Sequence, residues 1–348
     1  MLLEDNNGLV LDQVKEPALS RPLLPFLRTE PNPETLEPVE DPSSLDIQQV
    51  IQIARAAHIT DERDGRPLWE AIQKWVKTPP RAVVCDAIDD EPYVSSQINP
   101  LLNLPQEAVG GLELLARALG VSERYIAVYK NMYDLNTKIP AVLENVPVRK
   151  LGGKYPMERR SDRRFSKDHL LVGSCALIHL YRAVTQGKVQ TTTMVTVAGD
   201  CVGNPANLEV SLGMPLIEVL ERCGLIQEPT HIVEGGAMQG LCVIDPEHTV
   251  IKADTRAVLA FRDDKRERRY NCIGCGRCVE VCPAGLNPAY LMRAIESHRP
   301  ARALRLGLEQ CIGCSSCSYI CPARLELSFS ITQAKSRLKK GASDSHEA

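Results

Sequence analysis

The chain has 348 residues, with 41 Lys or Arg against 44 Asp or Glu and a formal net charge of −3. This near balance of signs argues against a nucleic-acid partner, because nucleic-acid-binding proteins present a basic surface. With 44% hydrophobic and 24% charged residues, the composition is typical of a globular protein that buries its own core. The best candidate for a membrane span, residues 170–181, is shorter than the roughly 20 residues required, so we expect no transmembrane segment.

The first 44 residues contain seven prolines, at positions 17, 22, 25, 31, 33, 38 and 42. Proline fixes φ and removes a backbone donor, so this density favours extended backbone over helix. The segment lacks the order of a secretory signal, and we expect the protein to remain inside the cell. Two interpretations of this arm stay open, a disordered tail or a strap that packs on the domain or on a partner. The strap is favoured by the apolar residues Leu23, Leu24, Phe26 and Leu27.

Helical and strand-like segments alternate from residue 45 to residue 187. Ser43 or Ser44 is the expected N-cap of a helix that ends near His58, because the apolar residues between them recur at helical spacing. The segments that follow are a helix around 68–76, a strand at 81–87, a helix from Pro105 to Gly120, a strand at 124–130, a helix around 139–145 and a strand at 148–152. Strands separated by helices predict a parallel α/β sheet.

Residues 188–245 are rich in β-branched side chains and predict a β-grasp module. Its strands are expected in TTTMVTVAGD, LEVSLG and HIVEGG, with a helix that begins at Pro215 and ends before Gly224. The predicted organisation is residues 1–44 as a proline-rich arm, 45–187 as an α/β core, 188–245 as the β-grasp module, 246–264 as a connector, 265–337 as a helical cysteine-bearing domain and 338–348 as a polar tail. Within the cysteine-bearing domain, residues 288–296 predict an amphipathic helix.

Eight of the thirteen cysteines form two runs with identical C-x2-C-x2-C-x3-C-P spacing. The first run is Cys272, Cys275, Cys278 and Cys282, and the second is Cys311, Cys314, Cys317 and Cys321. This spacing is typical of two-cluster ferredoxins, in which the fourth cysteine of each run binds the other cluster. The alternative is zinc, but four-cysteine zinc sites usually consist of two separated C-x2-C pairs.

The spacing therefore predicts two 4Fe-4S clusters with crossed ligands. Cys272, Cys275, Cys278 and Cys321 are expected to bind cluster 1, and Cys311, Cys314, Cys317 and Cys282 are expected to bind cluster 2. Gly274, Gly276 and Gly313 leave room for backbone amides to approach the sulfurs. Two neighbouring one-electron carriers on one chain indicate an electron relay.

The order of these segments resembles the C subunit of Rnf-type electron transport complexes. Related members are the cobalamin reductases of propanediol-degrading microcompartments and the electron-transfer protein associated with proline reductase. The resemblance covers about residues 45–335, and its motifs are Glu91-Pro92-Tyr93, Lys154-Tyr155-Pro156, TVAGDCVGNPANLEV, GMPLIEVLERCG, GGAMQG at 235–240 and both cysteine runs. It implies an α/β domain similar to the NADH-binding subunit of respiratory complex I, an SLBB-like β-grasp module and a two-cluster ferredoxin domain.

The resemblance also implies FMN and NADH binding on a glycine-rich loop after the first helix. Here that place reads HITDERDGRPLW, with Gly65 as its one glycine and with acidic residues that disfavour a phosphate. Two further family segments are replaced by CDAIDD at 85–90 and by MERR at 157–160. We therefore expect neither FMN nor NADH to bind. The alternative is a rearranged flavin site whose phosphate contacts come from Arg63, Arg66, Lys154, Arg159 or Arg160.

The sequence thus predicts an electron-transfer subunit of a larger redox complex rather than a catalytic subunit. Its expected partners are a ferredoxin-type or flavodoxin-type carrier or other oxidoreductase subunits, with no nucleic acid and with peripheral membrane association left open. The expected location is the cytoplasm, the inner face of a membrane or a microcompartment. One alternative is an FMN-containing NADH-dependent reductase, for example of corrinoids, and another is a scaffold whose clusters transfer no electrons. The donor, the acceptor and the cluster potentials are not readable from the sequence.

Overall fold

The computed structural model describes residues 35–130, 139–157, 167–262 and 268–344. The first helix, α1 (Ile47–Ala56), begins at a different cap from the one expected. The Asp46 carboxylate accepts the Gln49 N–H at 2.9 Å, and the Gln49 side chain accepts the Asp46 N–H at 2.9 Å. The prediction of a serine cap was wrong, because this reciprocal capping box satisfies two backbone donors at once. Ser43 and Ser44 lie instead in a short turn that Asp41 caps.

Residues 35–39 form the end of the predicted arm and pack on the α/β domain. The Leu36 N–H donates to the Gly187 carbonyl at 2.8 Å, and the Val39 N–H donates to the Val184 carbonyl at 2.8 Å. Both side chains contact the main core. This part of the arm is a strap, and the domain begins before the expected boundary at residue 45. The apolar cluster at 23–27 lies outside the described residues.

The α/β domain is built on a five-stranded sheet. Its elements after α1 are β1 (Thr60–Asp61), β2 (Arg66–Pro67), α2 (Leu68–Gln73), β3 (Ala82–Ala87), α3 (Ile98–Asn103), α4 (Pro105–Ala118), β4 (Glu123–Tyr129), β5 (Val142–Leu143), β6 (Val146–Leu151), β7 (His169–Gly173) and α5 (Ser174–Gln186). The sheet order is β5-β6-β4-β3-β7, and β6, β4, β3 and β7 are parallel. The predicted parallel α/β sheet is therefore confirmed.

The expected helix at 139–145 was wrong. Val142–Leu143 forms β5, which pairs antiparallel with β6 at the sheet edge. The two connecting residues, Glu144 and Asn145, have φ of 45° and 65°. A two-residue turn with both φ values positive matches the twist of a hairpin, so the local turn outweighs helical propensity here.

Both faces of the sheet are covered. Val83, Cys85 and Ala87 of β3 point into the main core, which also contains buried residues of α1, α4 and α5. Ala82 and Val84 point into a smaller core on the opposite face. Strand β3 is buried along its whole length, as expected for a central parallel strand. Helices α4 and α5 meet closely, since a Cβ built on Gly111 would lie 2.1 Å from the Leu177 carbonyl oxygen.

The second sheet has the order β11-β10-β12-β8-β9. Its elements are β8 (Thr192–Ala198), β9 (Ala206–Ser211), α6 (Leu216–Arg222), β10 (His231–Glu234), β11 (Leu241–Val243) and β12 (Ala257–Phe261). The expected hairpin, helix and further strand are all present. The expectation that residues 246–264 only connect two domains was wrong, because β12 pairs with both β10 and β8 in the middle of the sheet. Its short apolar sequence has no polar face, as expected for a strand that is covered on both sides.

The cysteine-bearing domain is helical. Its elements are α7 (Arg277–Glu280), α8 (Pro288–Glu296), α9 (Pro300–Arg305), α10 (Ser316–Tyr319) and α11 (Leu327–Asp344). Helix α8 has the predicted bounds, and the Asn287 side chain caps it by accepting the Tyr290 N–H at 3.1 Å. Residues 338–344, the first part of the predicted polar tail, belong to helix α11. In the described parts of the chain, every helix falls short of the length or hydropathy that a bilayer-spanning segment needs.

We predict that Gly111→Ala lowers the free energy of unfolding by roughly 3 kcal/mol or more, because the new methyl group would overlap the Leu177 backbone. The matched control is Gly110→Ala in the same helix, where the nearest atoms belong to the Tyr181 ring. A side chain can move more easily than a packed helix backbone, so the control should lose less stability. Denaturant unfolding of both variants measures the difference, and equal losses would contradict this account of the contact between α4 and α5.

Candidate functional site

Four thiols from both cysteine runs line one cavity. Cys272 and Cys275 lie in the loop before α7, Cys278 lies in α7, and Cys321 follows α10. The cavity has a volume of about 220 Å³. The structure therefore brings together the four residues that were expected to share cluster 1.

The other four thiols line a second, smaller cavity. Cys311, Cys314 and Cys317 come from the second run, and Cys282 comes from the end of the first. The Leu286 N–H donates to the Cys282 Sγ at 3.3 Å, which is a contact that also tunes a metal-bound sulfur. The grouping is the crossed one expected from the spacing.

The backbone geometry of the first run recurs in the second at an offset of 39 residues. Gly274, Gly276 and Gly285 have positive φ in the first run. The corresponding residues of the second run, Gly313, Ser315 and Arg324, have φ of 68°, 59° and 56°. Left-handed backbone at these positions turns the chain so that the thiols converge. Ser315 and Arg324 were missed by the sequence reasoning, although counting 39 residues from Gly276 and Gly285 identifies both.

The donor sets fit iron–sulfur clusters. Each cavity has four cysteine sulfurs among its lining residues, which is the ligand set of a 4Fe-4S cluster. Burial, together with the neighbouring thiols of Cys314 and Cys311, raises the pKa of Cys317 to about 12. Bound iron would supply the positive charge that keeps such thiolates deprotonated. Among the described residues, no three His, Cys, Asp or Glu side chains are grouped as a single metal ion would require.

A larger cavity, of about 710 Å³, lies between the two sheets. It is lined by charged side chains and by glycines of the loop after β10, namely Glu62, Arg63, Asp64, Glu91, Val94, Glu234, Gly235, Gly236, Gln239, Gly240, Leu241, Lys252, Asp254, Thr255 and Arg256. Five of these residues are acidic and three are basic. The cavity therefore carries no excess of positive charge for an anionic ligand.

Three of the segments that carry the family resemblance meet at this cavity. The Tyr155 hydroxyl donates to the Glu91 carboxylate, and the Met238 N–H donates to the same carboxylate at 3.0 Å. Gln239 Nε2 donates to Glu91 at 2.8 Å and to the Tyr155 oxygen at 2.8 Å. A Cβ on Gly236 would lie 2.2 Å from the Glu91 side chain, so glycine is required for this approach. Glu91 thus joins the α/β domain to the second sheet.

Glu62 occupies the N-terminus of α5. Its carboxylate accepts the Cys175 N–H at 2.9 Å and the Ala176 N–H at 3.0 Å, and the residue is 4% exposed. A Cβ on Gly173 would lie 2.2 Å from the carboxylate, so the fit is close. In parallel α/β sheets, a strand-to-helix turn of this kind is where anionic ligands bind. Here a side chain of the protein itself fills that position.

The basic residues that could have served a rearranged flavin site have other contacts. Arg63 forms ion pairs with Asp61 at 3.1 Å and with Asp86 at 3.3 Å. Arg66 pairs with Asp64 at 3.7 Å, and Lys154 Nζ donates to a backbone carbonyl, that of residue 280, at 2.5 Å. Residues 159 and 160 lie outside the described residues.

Comparison with known protein families agrees with this domain order. A family described as the 4Fe-4S dicluster domain matches residues 261–325, and the SLBB domain family matches residues 194–241. The chain is 30% identical over 288 residues to the C subunit of the ion-translocating oxidoreductase complex of Rhodobacter capsulatus, covering 76% of this chain and 55% of the relative. It is 27% identical over 227 residues to the C subunit of the Na⁺-translocating ferredoxin:NAD⁺ oxidoreductase complex of Acetobacterium woodii, covering 59% of this chain and 51% of the relative.

The fold also resembles a solved structure of an NAD⁺-reducing nickel–iron hydrogenase in its H2-reduced state. The TM-score is 0.55 at 12% identity, and the match covers 86% of this chain and 62% of that chain. This likeness confirms the expected fold class. The chain spans about half the length of the curated relatives it matches.

We predict that paired cysteine substitutions will reveal the crossed ligands. Cys282→Ala with Cys311→Ala should remove one cluster and leave about four irons per chain, whereas Cys282→Ala with Cys272→Ala should remove both clusters. Uncrossed ligation predicts the opposite outcome for the two pairs. Iron analysis after anaerobic purification distinguishes them. Cys242→Ala, at an exposed thiol outside both cavities, is the control and should retain about eight irons.

We also predict that Glu62 makes stability depend on pH. Burial and the neighbouring Asp61 raise the pKa of Glu62 from 4.5 to about 7. Because the folded state then binds the proton more tightly than the unfolded state, the contribution of Glu62 is full below pH 4.5 and is lost as pH rises through about 7. Between pH 4.5 and about 7, the free energy of unfolding of the wild type should fall by at most about 3 kcal/mol relative to that of Glu62→Gln.

Urea unfolding at several pH values measures this dependence. The control is Glu70→Gln, at an exposed position of α2, and its stability should follow that of the wild type at every pH. If the wild type and Glu62→Gln show parallel profiles, Glu62 does not titrate in this range and the expectation fails.

Proposed function

We propose that this chain is a member of the family of C subunits from Rnf-type electron transport complexes, and that it is an iron–sulfur electron-transfer subunit of a larger redox complex. The observation that carries this proposal is the convergence of eight thiols into two neighbouring four-thiol cavities. When bound, the two clusters supply one-electron oxidation and reduction. The chain holds them next to each other, because each run contributes ligands to both cavities.

The two cavities differ in their access to solvent. Cys275 is exposed, and the neighbouring Ile273 side chain is 70% exposed, both at the first cavity. Cys314 is buried in the second cavity. Of the two cavities, the first therefore opens more directly to solvent.

Other oxidoreductase subunits are the proposed partners. The relatives from Rhodobacter capsulatus and Acetobacterium woodii are each named as the C subunit of an oxidoreductase complex. The names of these relatives mention ion translocation, ferredoxin and NAD⁺, which are properties of those complexes. For this chain we propose the coarser role, a relay that docks to a redox partner.

We further propose that this chain binds neither FMN nor NADH. The cavity between the sheets does not fit a phosphate-bearing cofactor, because the Glu62 carboxylate holds the backbone donors of α5 that would bind the phosphate. Arg63 is held by two carboxylates, and the lining of the cavity contains more acidic than basic residues. No step of the proposed function passes through a flavin.

Cofactor analysis of the anaerobically purified protein tests the proposal. We expect about eight irons per chain, a broad absorption that bleaches with dithionite, and no released flavin. NADH alone should bleach nothing in the isolated chain. Stoichiometric FMN, or bleaching by NADH, would instead support the NADH-dependent reductase.

The scaffold alternative requires a separate measurement in the assembled complex. A variant that lacks cluster 1 through Cys275→Ala should abolish turnover of the complex while the complex still assembles. Continued turnover of a correctly assembled complex would mean that the cluster only holds the domain together, and the relay would be refuted.

A further inference from the structure

Three arginines line a concave surface of the cysteine-bearing domain. Arg299, Arg302 and Arg305 surround a volume of about 650 Å³ together with Pro300, Ala301 and Leu306. All three arginines are exposed. Within the described parts of the chain, none of their guanidinium groups forms a salt bridge or a side-chain hydrogen bond to another residue. Folding therefore makes no evident use of these charges.

The three arginines concentrate positive charge on one short helix. Arg302 and Arg305 lie three residues apart in α9, and Arg299 precedes the helix by one residue. Like charges at this spacing are neighbours on a helix surface and repel each other. The nearest acidic residues along the chain are Glu296 and Glu309, which are exposed and form no ion pair with the arginines in the described structure. An acidic partner would relieve the repulsion.

Charge is distributed unevenly between the parts of the chain. Residues 268–338 contain ten Lys or Arg and four Asp or Glu, although the whole chain has a net charge of −3. The iron–sulfur part is thus basic and the remainder is acidic. A partner with an acidic face would be steered toward the iron–sulfur part and away from the remainder.

The arginine segment and the second cavity contact the same small core. Ala303 and Leu306 of the same segment pack into a small core with Leu286, and Cys282 and Cys311 border that core. The Leu286 N–H donates to the Cys282 sulfur. At the first cavity, by contrast, the carbonyl at the end of α7 accepts a hydrogen bond from Lys154 of the α/β domain. The two cavities therefore face different surroundings.

We propose that the arginine surface docks an acidic one-electron carrier protein, with cluster 2 as the centre that exchanges electrons with it. This inference rests on the proposed relay function. In each exchange one electron moves between cluster 2 and the redox centre of the carrier, so that one is oxidised as the other is reduced. No bond is broken, and no proton or further reactant is required. Arginine suits this role because its guanidinium pairs with carboxylates through two parallel hydrogen bonds.

The test is a charge reversal measured by stopped-flow electron transfer. The variant carries Arg299→Glu, Arg302→Glu and Arg305→Glu, and the probe is an acidic 2Fe-2S ferredoxin at low ionic strength. The second-order rate constant for electron transfer should fall by about tenfold or more. It should also depend less steeply on salt concentration than the rate constant of the wild type. With basic cytochrome c as a second probe, the rate should rise. Iron content and far-ultraviolet circular dichroism verify that the variant is folded and loaded.

The matched control reverses three exposed cations of the α/β domain, Lys74, Lys77 and Arg117. It changes the net charge by the same amount, so its rate with the acidic ferredoxin should change by less than about twofold if docking is local. If both triple variants lose the same fraction of the electron-transfer rate, or if neither loses any, the proposal that the arginine surface docks the carrier is wrong. Should the Glu variant misfold, the Arg→Gln triple variant provides the same comparison with a smaller expected loss.

Two other results have distinct meanings. A wild type that exchanges electrons with neither carrier would refute the relay and the docking surface together. A wild type that is active, with an equally active arginine variant, would refute the docking surface alone. Vesicles of phosphatidylglycerol and phosphatidylcholine test the remaining source of negative charge. If the arginine variant no longer co-sediments with these vesicles but transfers electrons at the wild-type rate, the surface binds anionic lipid and the proposal of a carrier protein is wrong.

Discussion

The fourth cysteine of each run lines the same cavity as the first three cysteines of the other run. The rest of the iron–sulfur domain depends on this crossing of the two runs. Cys321 lies with the first three thiols of the first run, and Cys282 lies with those of the second. Neither half can then complete its site without the other. A small core that includes Leu291, Ala303 and Ile331 packs residues of both halves together. Burial favours neutral thiols there, so metal binding and folding are coupled.

Two carboxylates shape the cavity between the two sheets of this chain. The two side-chain oxygens of Glu62 accept the first backbone N–H groups of α5, where the oxygens of a ligand would otherwise bind. Glu91 is held by Tyr155 and by the loop after β10, so it links two domains across the cavity. Both carboxylates therefore bind groups of the protein itself.

The charged side chains have different surroundings in different domains. The α/β and SLBB domains hold buried ion pairs, such as Arg63 with Asp61 and Arg256 with Asp89 at 2.6 Å. Such pairs orient the loops around the cavity. The iron–sulfur domain instead carries Arg299, Arg302 and Arg305, which are exposed and form no ion pairs within the described structure. Charges of the first kind serve the internal structure, and charges of the second kind are available to a partner.

The sequence by itself determined the parallel α/β sheet, the hairpin and helix of the SLBB domain and the bounds of α8, and its cysteine spacing predicts the crossed ligands. These features follow from periodicity and from fixed ligand spacing, which are properties of neighbouring residues. Only the tertiary structure decided that Ala257–Phe261 is a central strand, that Val142–Leu143 is an edge strand, and that Glu62 lies at the N-terminus of α5. In sequence, Glu62 is separated from Cys175 by 113 residues. Pairing and burial of that kind depend on residues far apart along the chain, so no local pattern contains them.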